Sequence, residues 1–291
     1  MHTESSPVLL ERAQRLSRKS IDDYYNPYTH FDWTESLEDD QYWMPADLLS
    51  LYGTPYFETL GERQVKALSK WESISFYSLN VHGIREVLHE AVERVHTARF
   101  APVSDYLHHF IGEENEHMWF FARFCTQYGG KIYPNRTPQL ETDLPQATTD
   151  FLVFARTVIF EEIVDFFNVR IGQDASLHPL IQHINRTHHK DESRHVAFGR
   201  EIVRDLYARL LAEQGSEGAA MVDGYLKRYL GHCIDLFYQA PVYRDAGLPD
   251  PFKLRNMARN SQERVAYHER MLARTVQFLV SEGILSPGGV Q

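Results

Sequence analysis

Glu-x-x-His occurs twice in this chain, as Glu114-Asn115-Glu116-His117 and as Glu192-Ser193-Arg194-His195, each inside a stretch with helical periodicity. Residues three apart on an α-helix lie about one turn along and on nearly the same face, so a carboxylate and an imidazole can aim at one metal ion. A single such unit is common on solvated helices and says little. Two units on separate long helices, with a glutamate-bearing helix before each, specify a four-helix bundle around a dinuclear carboxylate site.

Such a bundle needs a sizeable core. Of the 291 residues, 43% are apolar and 24% charged, the balance of a soluble globular protein. The formal charge of −10 argues against a nucleic-acid surface, which would carry a basic stripe. The longest apolar runs, such as 151–154 and 158–160, fall far short of the roughly 18 residues of a membrane span. No apolar run follows a basic N-terminal segment, so no secretory signal is expected and the expected location is the cytoplasm. Cys125 and Cys233 lack Cys-x-x-Cys spacing and read as buried thiols of a reducing compartment.

Residues 1–55 read as an irregular arm, because Asp22 to Pro27 and Met44-Pro45 break any long helix. Its dense aromatics (Tyr24, Tyr25, Tyr28, Phe31, Trp33, Tyr42, Trp43) are expected to pack over the core, with closure of an active-site mouth as the sharper reading. Helical spacing then predicts a first core helix from Leu60 to His96 and, after Ala101-Pro102, a second from Val103 to Tyr128 ended by Gly129-Gly130. A polar connection runs from Lys131 to Gln146. A third helix is expected over Asp150–Ile171, and a fourth from Pro179 to Ala212. Gly215 to Gly218 separates a fifth, Ala219–Gln239; a loop over Pro241–Pro251 leads to a last long helix, Phe252–Glu282. No segment shows strand periodicity. The expectation is one all-α domain over 1–291, with core helices at about 60–213.

Antiparallel neighbours can be matched by distance from their shared turn. Glu114 lies about 13 residues past the turn near 99–102, which favours Glu86 on the first helix. Glu90 is about one turn off and stays in reserve, whereas Glu72 would sit about 20 Å from that level. Glu86 does not, however, lie on the main apolar stripe of its helix. Across the next turn, Glu161 and Glu162 match the depth of His188, Glu192 and His195. Those three follow i, i+4, i+7 spacing and fall within about 60° on one helical face. Asp191 and Arg194 flank them and are suited to orient the imidazoles through their distal nitrogens. Glu113 and Glu116 read as solvated or supporting residues, and His189 as a surface residue. Carboxylates with imidazoles, and no thiolate, suit iron or manganese.

The segment His188-x-x-Asp191-Glu192-x-Arg194-His195-x-x-Phe198, preceded by Glu161 in the third helix, resembles the AurF-type di-iron N-oxygenase family. That family includes p-aminobenzoate N-oxygenase and the arylamine oxygenase of chloramphenicol biosynthesis, and its additional histidine stands four residues before the fourth-helix Glu, as His188 does. The resemblance covers roughly residues 60–240; the chain is short for the family and its connection between second and third helices is tighter. It implies a ferritin-like four-helix bundle with additional helices and the irregular N-terminal arm. It implies metal ligands at Glu86, Glu114, His117, Glu161, His188, Glu192 and His195, favouring Glu161 over Glu162. It further implies two iron ions, O2 and oxidation of a small-molecule amine to hydroxylamine, nitroso or nitro in secondary metabolism.

Electrons are expected from an external reductase or ferredoxin, because the chain has no Gly-x-Gly-x-x-Gly motif. A homodimer is a further expectation; nucleic-acid and membrane partners are not expected. Two other readings share the core: a di-iron C–H hydroxylase or desaturase, against which the additional His188 argues, and ferritin-like iron storage. Storage proteins of that kind are shorter, whereas this chain has enough extra length to roof a pocket.

Overall fold

The computed structural model describes residues 5–134 and 143–288, so the middle of the polar connection expected between Lys131 and Gln146 lies outside the described residues. The fold is all-α and ferritin-like; among the described residues there is no strand. Four long helices form the bundle: α3 (Glu62–Arg94), α4 (Ser104–Tyr128), α5 (Gln146–Gln173) and α6 (Pro179–Asp235), preceded by α1 (Pro7–Asp22) and α2 (Pro27–His30). α7 (Ala240–Asp245), α8 (Pro251–Arg259) and α9 (Gln262–Ser281) complete the chain.

The arm is more ordered than its composition suggests. Ser6 accepts a hydrogen bond from the Leu9 amide and Pro7 occupies the first turn, so α1 has both parts of a strong start signal. Its buried Leu9, Ala13, Leu16 and Ser20 recur at helical spacing and pack against α4 and α6. Beyond α2 the chain is irregular, and it tucks Phe31 and Trp43 into the core.

Pairings between side chains fix the directions of the bundle. Ser78 meets Cys125 and His96 meets His108, so α3 and α4 are antiparallel. Asn168 meets His188 and Glu162 meets Arg200, so α5 and α6 are antiparallel too. α5 is buried on nearly every side, from Phe151 to Ile171, as expected of a helix wrapped by others. At Gly199 of α6, a Cβ would come within 2.4 Å of a Val158 methyl group on α5. That glycine lets the two helices approach one turn from Glu161 and His195.

Two helix ends differ from expectation for local reasons. The fourth and fifth expected helices run on as α6, but Gly215 takes φ 60 and ψ −144 and breaks the helical path where the glycine signal stood. The last helix is interrupted at Asn260-Ser261, where Ser261 adopts the extended conformation of a cap and starts α9.

Candidate metal centre

α4, α5 and α6 bring Glu114, His117, Glu161, His188, Glu192 and His195 into the middle of the bundle, none more than 3% exposed. Ligand atoms of Glu114, His117, Glu192 and His195 all lie within 4.8 Å of one another. Nδ1 of His195 stands 2.8 Å from Glu114 Oε1 and 3.5 Å from Glu192 Oε2. His117 Nδ1 is 3.6 Å from Glu114 Oε1 and 3.5 Å from Glu192 Oε1, while His188 Nε2 is 2.6 Å from Glu192 Oε1. Glu192 thus meets three imidazoles.

These contacts leave hydrogen-bonding capacity unused. Glu114 Oε1, His117 Nδ1, both oxygens of Glu161, His188 Nε2, Glu192 Oε2 and His195 Nδ1 are buried without a hydrogen-bond partner. Native interiors seldom leave one such atom orphaned. Seven on six neighbouring residues call for a cation.

The opposite edges of the imidazoles are anchored. His117 Nε2 donates to Asp191 Oδ2 at 3.1 Å, and His195 Nε2 donates to Glu113 Oε2 at 2.7 Å. Arg194 donates to Asp191 at 2.6 Å and to Glu113 at 2.8 Å, tying the two carboxylates together. A proton held on Nε2 leaves the Nδ1 lone pair aimed at the centre, the arrangement metal-binding histidines use. Asn168 Nδ2 lies 2.7 Å from His188 Nδ1, and Asn168 Oδ1 is itself orphaned. Turning that amide over makes Oδ1 the acceptor of an Nδ1 proton and frees the Nε2 lone pair of His188.

Electrostatics points the same way. Burial, then the charges of Glu192 and Glu114, push the Glu161 carboxyl well above its ordinary value, with His195 opposing. For Glu192 burial also acts upward, but His188 and His195 outweigh it and hold the carboxyl well below its usual range. Burial acts downward on His117, yet Asp191 and Glu114 push it up to about 10. A group of this kind holds protons until a cation replaces them. Around it, Phe110, Phe120 and Phe121 pack against His195, His117 and His188 and keep the surroundings apolar.

Glu86 does not join the cluster. It is exposed and lines a groove between α3 and α5 with Glu90, Arg156, Phe160 and Tyr229. The buried face of α3 carries Tyr77, Asn80, Ile84 and Ala91, and position 86 is about 200° around the helix from Ile84. Matching depth placed Glu86 at the right height and the wrong rotation. Glu90 pairs with Arg94 at 2.7 Å and Arg156 at 3.5 Å. Glu162, the neighbour of Glu161, is taken up by Arg200 at 2.7 Å and by Thr275 of α9 at 2.5 Å. His189 reaches Asp165 at 2.5 Å.

Glu72, on α3, binds the Ser50 amide at 2.8 Å and the Ser50 hydroxyl, away from the cluster. Burial pushes its carboxyl up to about 7 against an ordinary 4.5. The folded state therefore holds a proton that the unfolded chain releases, and this contribution to stability falls as pH rises from about 4.5 to about 7. Glu72→Gln is expected to remove that fall in urea denaturation curves measured across the window.

Glu113, read from the sequence as solvated or supporting, proves to support His195, and Asn168 is the residue near the cluster that the sequence does not single out. Glu113 carries a weak signal: it precedes the Glu114-x-x-His117 register by one residue, on the side of the helix that faces α6. Asn168 has none.

Similar proteins extend the reading. This chain is similar to three uncharacterized proteins, one from Mycobacterium bovis and two from strains of Mycobacterium tuberculosis, at 23% identity over 216 residues. The match covers 70% of this chain and 63% of each relative, less than two thirds of their length. The model of the p-aminobenzoate N-oxygenase AurF family matches residues 9–283, a span that takes in the bundle, the arm and the buried cluster, and the chain belongs to that family.

Proposed function

We propose that the protein is a non-haem di-iron oxygenase that uses O2 to oxidise the nitrogen of a small-molecule amine. The observation that carries the reading is the convergence of six buried side chains whose inward atoms meet chiefly one another and leave hydrogen-bonding capacity unused. Glu114, His117, Glu161, His188, Glu192 and His195 would hold two metal ions, and Glu192 lies against all three imidazoles. Three carboxylates and three imidazoles, with no thiolate, suit iron. When bound, two ferrous ions supply the electrons that reduce O2.

The chain's own residues do the rest. Asp191 and Glu113 fix the orientation of His117 and His195, and Arg194 holds both carboxylates in place. The phenylalanine shell excludes water, which would otherwise compete at the metal ions. α3 provides no carboxylate at the cluster; the buried polar group it offers in this part of the bundle is Asn80, whose Oδ1 is unpartnered. His188 adds a third imidazole, a feature that favours nitrogen oxidation over C–H hydroxylation or desaturation. Loading the protein with Fe(II) without air, then admitting O2 with a panel of aromatic and aliphatic amines, is expected to yield hydroxylamine, nitroso or nitro products. Iron bound and O2 consumed, with hydroxylated carbon as the product, would replace this reading by the C–H one.

A further inference from the structure

Asn80 of α3 is fully buried, and its Oδ1 has no hydrogen-bond partner. Its Nδ2 donates to the carbonyl of Phe76 at 2.9 Å, one turn back on the same helix. That bond fixes which way the amide faces, because turning it over would set two oxygens against each other. The orphaned acceptor is therefore held away from the carbonyls of its own helix. An acceptor shut off from water in this way is costly unless something meets it.

The neighbours of Asn80 on α3 show where that oxygen looks. Phe76 stacks on Phe167 of α5 with ring centroids 4.9 Å apart, and a Cβ on Gly83 would come within 2.3 Å of Phe160, also of α5. Tyr77 stacks on Phe121 of α4 at 5.1 Å and accepts a hydrogen bond from Asn185 of α6 at 2.6 Å. At about 100° per residue, position 80 lies about 40° from Phe76 and about 60° from Tyr77, between the direction of α5 and that of α4 and α6. It faces the axis of the bundle. The same contacts fix its height, because seven residues forward on α3 correspond to seven back on α5. Asn80 thus stands level with Ile163, about 3 Å along the axis from Glu161. Both Glu161 oxygens are orphaned as well, and Phe121 packs in turn on His188.

From this coincidence of rotation, height and an unused acceptor we infer that Asn80 Oδ1 is the ligand α3 contributes to the metal pair, a neutral oxygen where Glu86 does not reach. The inference rests on the di-iron reading. An amide carbonyl is a hard oxygen donor, compatible with the carboxylates and imidazoles around it. Unlike a carboxylate it brings no charge. Glu114, Glu161 and Glu192 remain the anionic ligands, so two divalent ions keep a net positive charge at the centre. The ion that Asn80 serves is held by a dipole where a fourth carboxylate would hold it by charge, and it binds more weakly than its neighbour. The two positions therefore fill in sequence. The ferric state carries still more positive charge, so the missing carboxylate costs it more than it costs the ferrous state, and the reduction potential of the pair is kept high.

The test is anaerobic calorimetric titration of the metal-free protein with Fe(II), in the parent and in two variants at position 80. Asn80→Leu, close in size, is expected to leave the first ion bound as before and to weaken the second about tenfold or more, the least that even a supporting partner costs when replaced. Asn80→Asp supplies the missing charge. It is expected to hold both ions, the second more tightly than the parent does, and to lower the reduction potential of the ferric pair in spectroelectrochemical titration. Urea denaturation without metal reads the fold separately: Asn80→Leu is expected to be at least as stable as the parent, since the oxygen it removes has no protein partner. Two binding steps unchanged in Asn80→Leu would overturn the inference. So would an Asn80→Asp protein whose second step weakens as much as that of Asn80→Leu, the mark of a purely structural amide. Failure of the di-iron reading would show separately, as absence of bound iron in the unmodified protein.

Discussion

Glu192→Ala is expected to empty the centre of both metal ions and abolish oxygenation while leaving the bundle folded. Glu192 is the residue whose carboxylate meets all three imidazoles, at 2.6 Å from His188 and 3.5 Å from His117 and His195. Removing it takes away the carboxylate that lies against all three imidazoles. Even partners that only orient a ligand cost about 10–100-fold in metal affinity when replaced, so loss of a ligand at the middle of the cluster should exceed about 100-fold. Asp191→Asn, which touches His117 from behind, should stay within that smaller range. Iron content after desalting, read beside far-UV circular dichroism, checks both values. Retention of two ions by Glu192→Ala would remove Glu192 from the centre of the account.

Metal removal should destabilise the protein, and Glu161 supplies the sign test. Binding at one hundred times the dissociation constant stabilises a folded state by about 2.7 kcal/mol, so chelation should lower Tm by about 5–10 °C. Without metal, both Glu161 oxygens are buried and unpartnered. Glu161→Leu should therefore raise the stability of the metal-free protein by about 1–3 kcal/mol, the usual penalty of an unsatisfied buried polar group. The same substitution should erase most of the gain on adding iron. The pH dependence follows from the raised carboxyl: the folded state keeps its proton above the ordinary 4.5, so metal-free stability falls as pH rises from there. Glu161→Leu should flatten that slope. Thermal melts with and without chelator, at several pH values, measure all of these effects. A Glu161→Leu protein less stable than the parent without metal would mean that the carboxylate has a structural partner.

Spacing within one helix determines which side chains share a face, whereas counting from a turn gives level without direction. On α4 and α6 the i, i+3 and i, i+4, i+7 spacings determine which side chains share a face, and Glu114, His117, His188, Glu192 and His195 meet in the bundle accordingly. Glu86 was placed by counting residues from a turn, which gives level along the axis but not direction around it. α1 has a narrow apolar face, and the breakers at Asp22 to Pro27 that follow it make the whole arm read as irregular. The break at Asn260-Ser261 rests on two residues that are ordinary in a helix and favourable at a cap. Asn168 acts through a contact with a distant part of the chain, and no periodicity within its own segment marks it.

The proposed chemistry requires that the one buried cluster hold two iron ions. Anaerobic titration of the metal-free protein with Fe(II), with Mössbauer spectra of the product, tests it most directly. Saturation is expected at about two ions per chain, as a dinuclear carboxylate centre requires, in nitrogen and oxygen surroundings, with loss of that saturation in Glu192→Ala. Saturation below one ion per chain, or iron uptake that survives in Glu192→Ala, would contradict it.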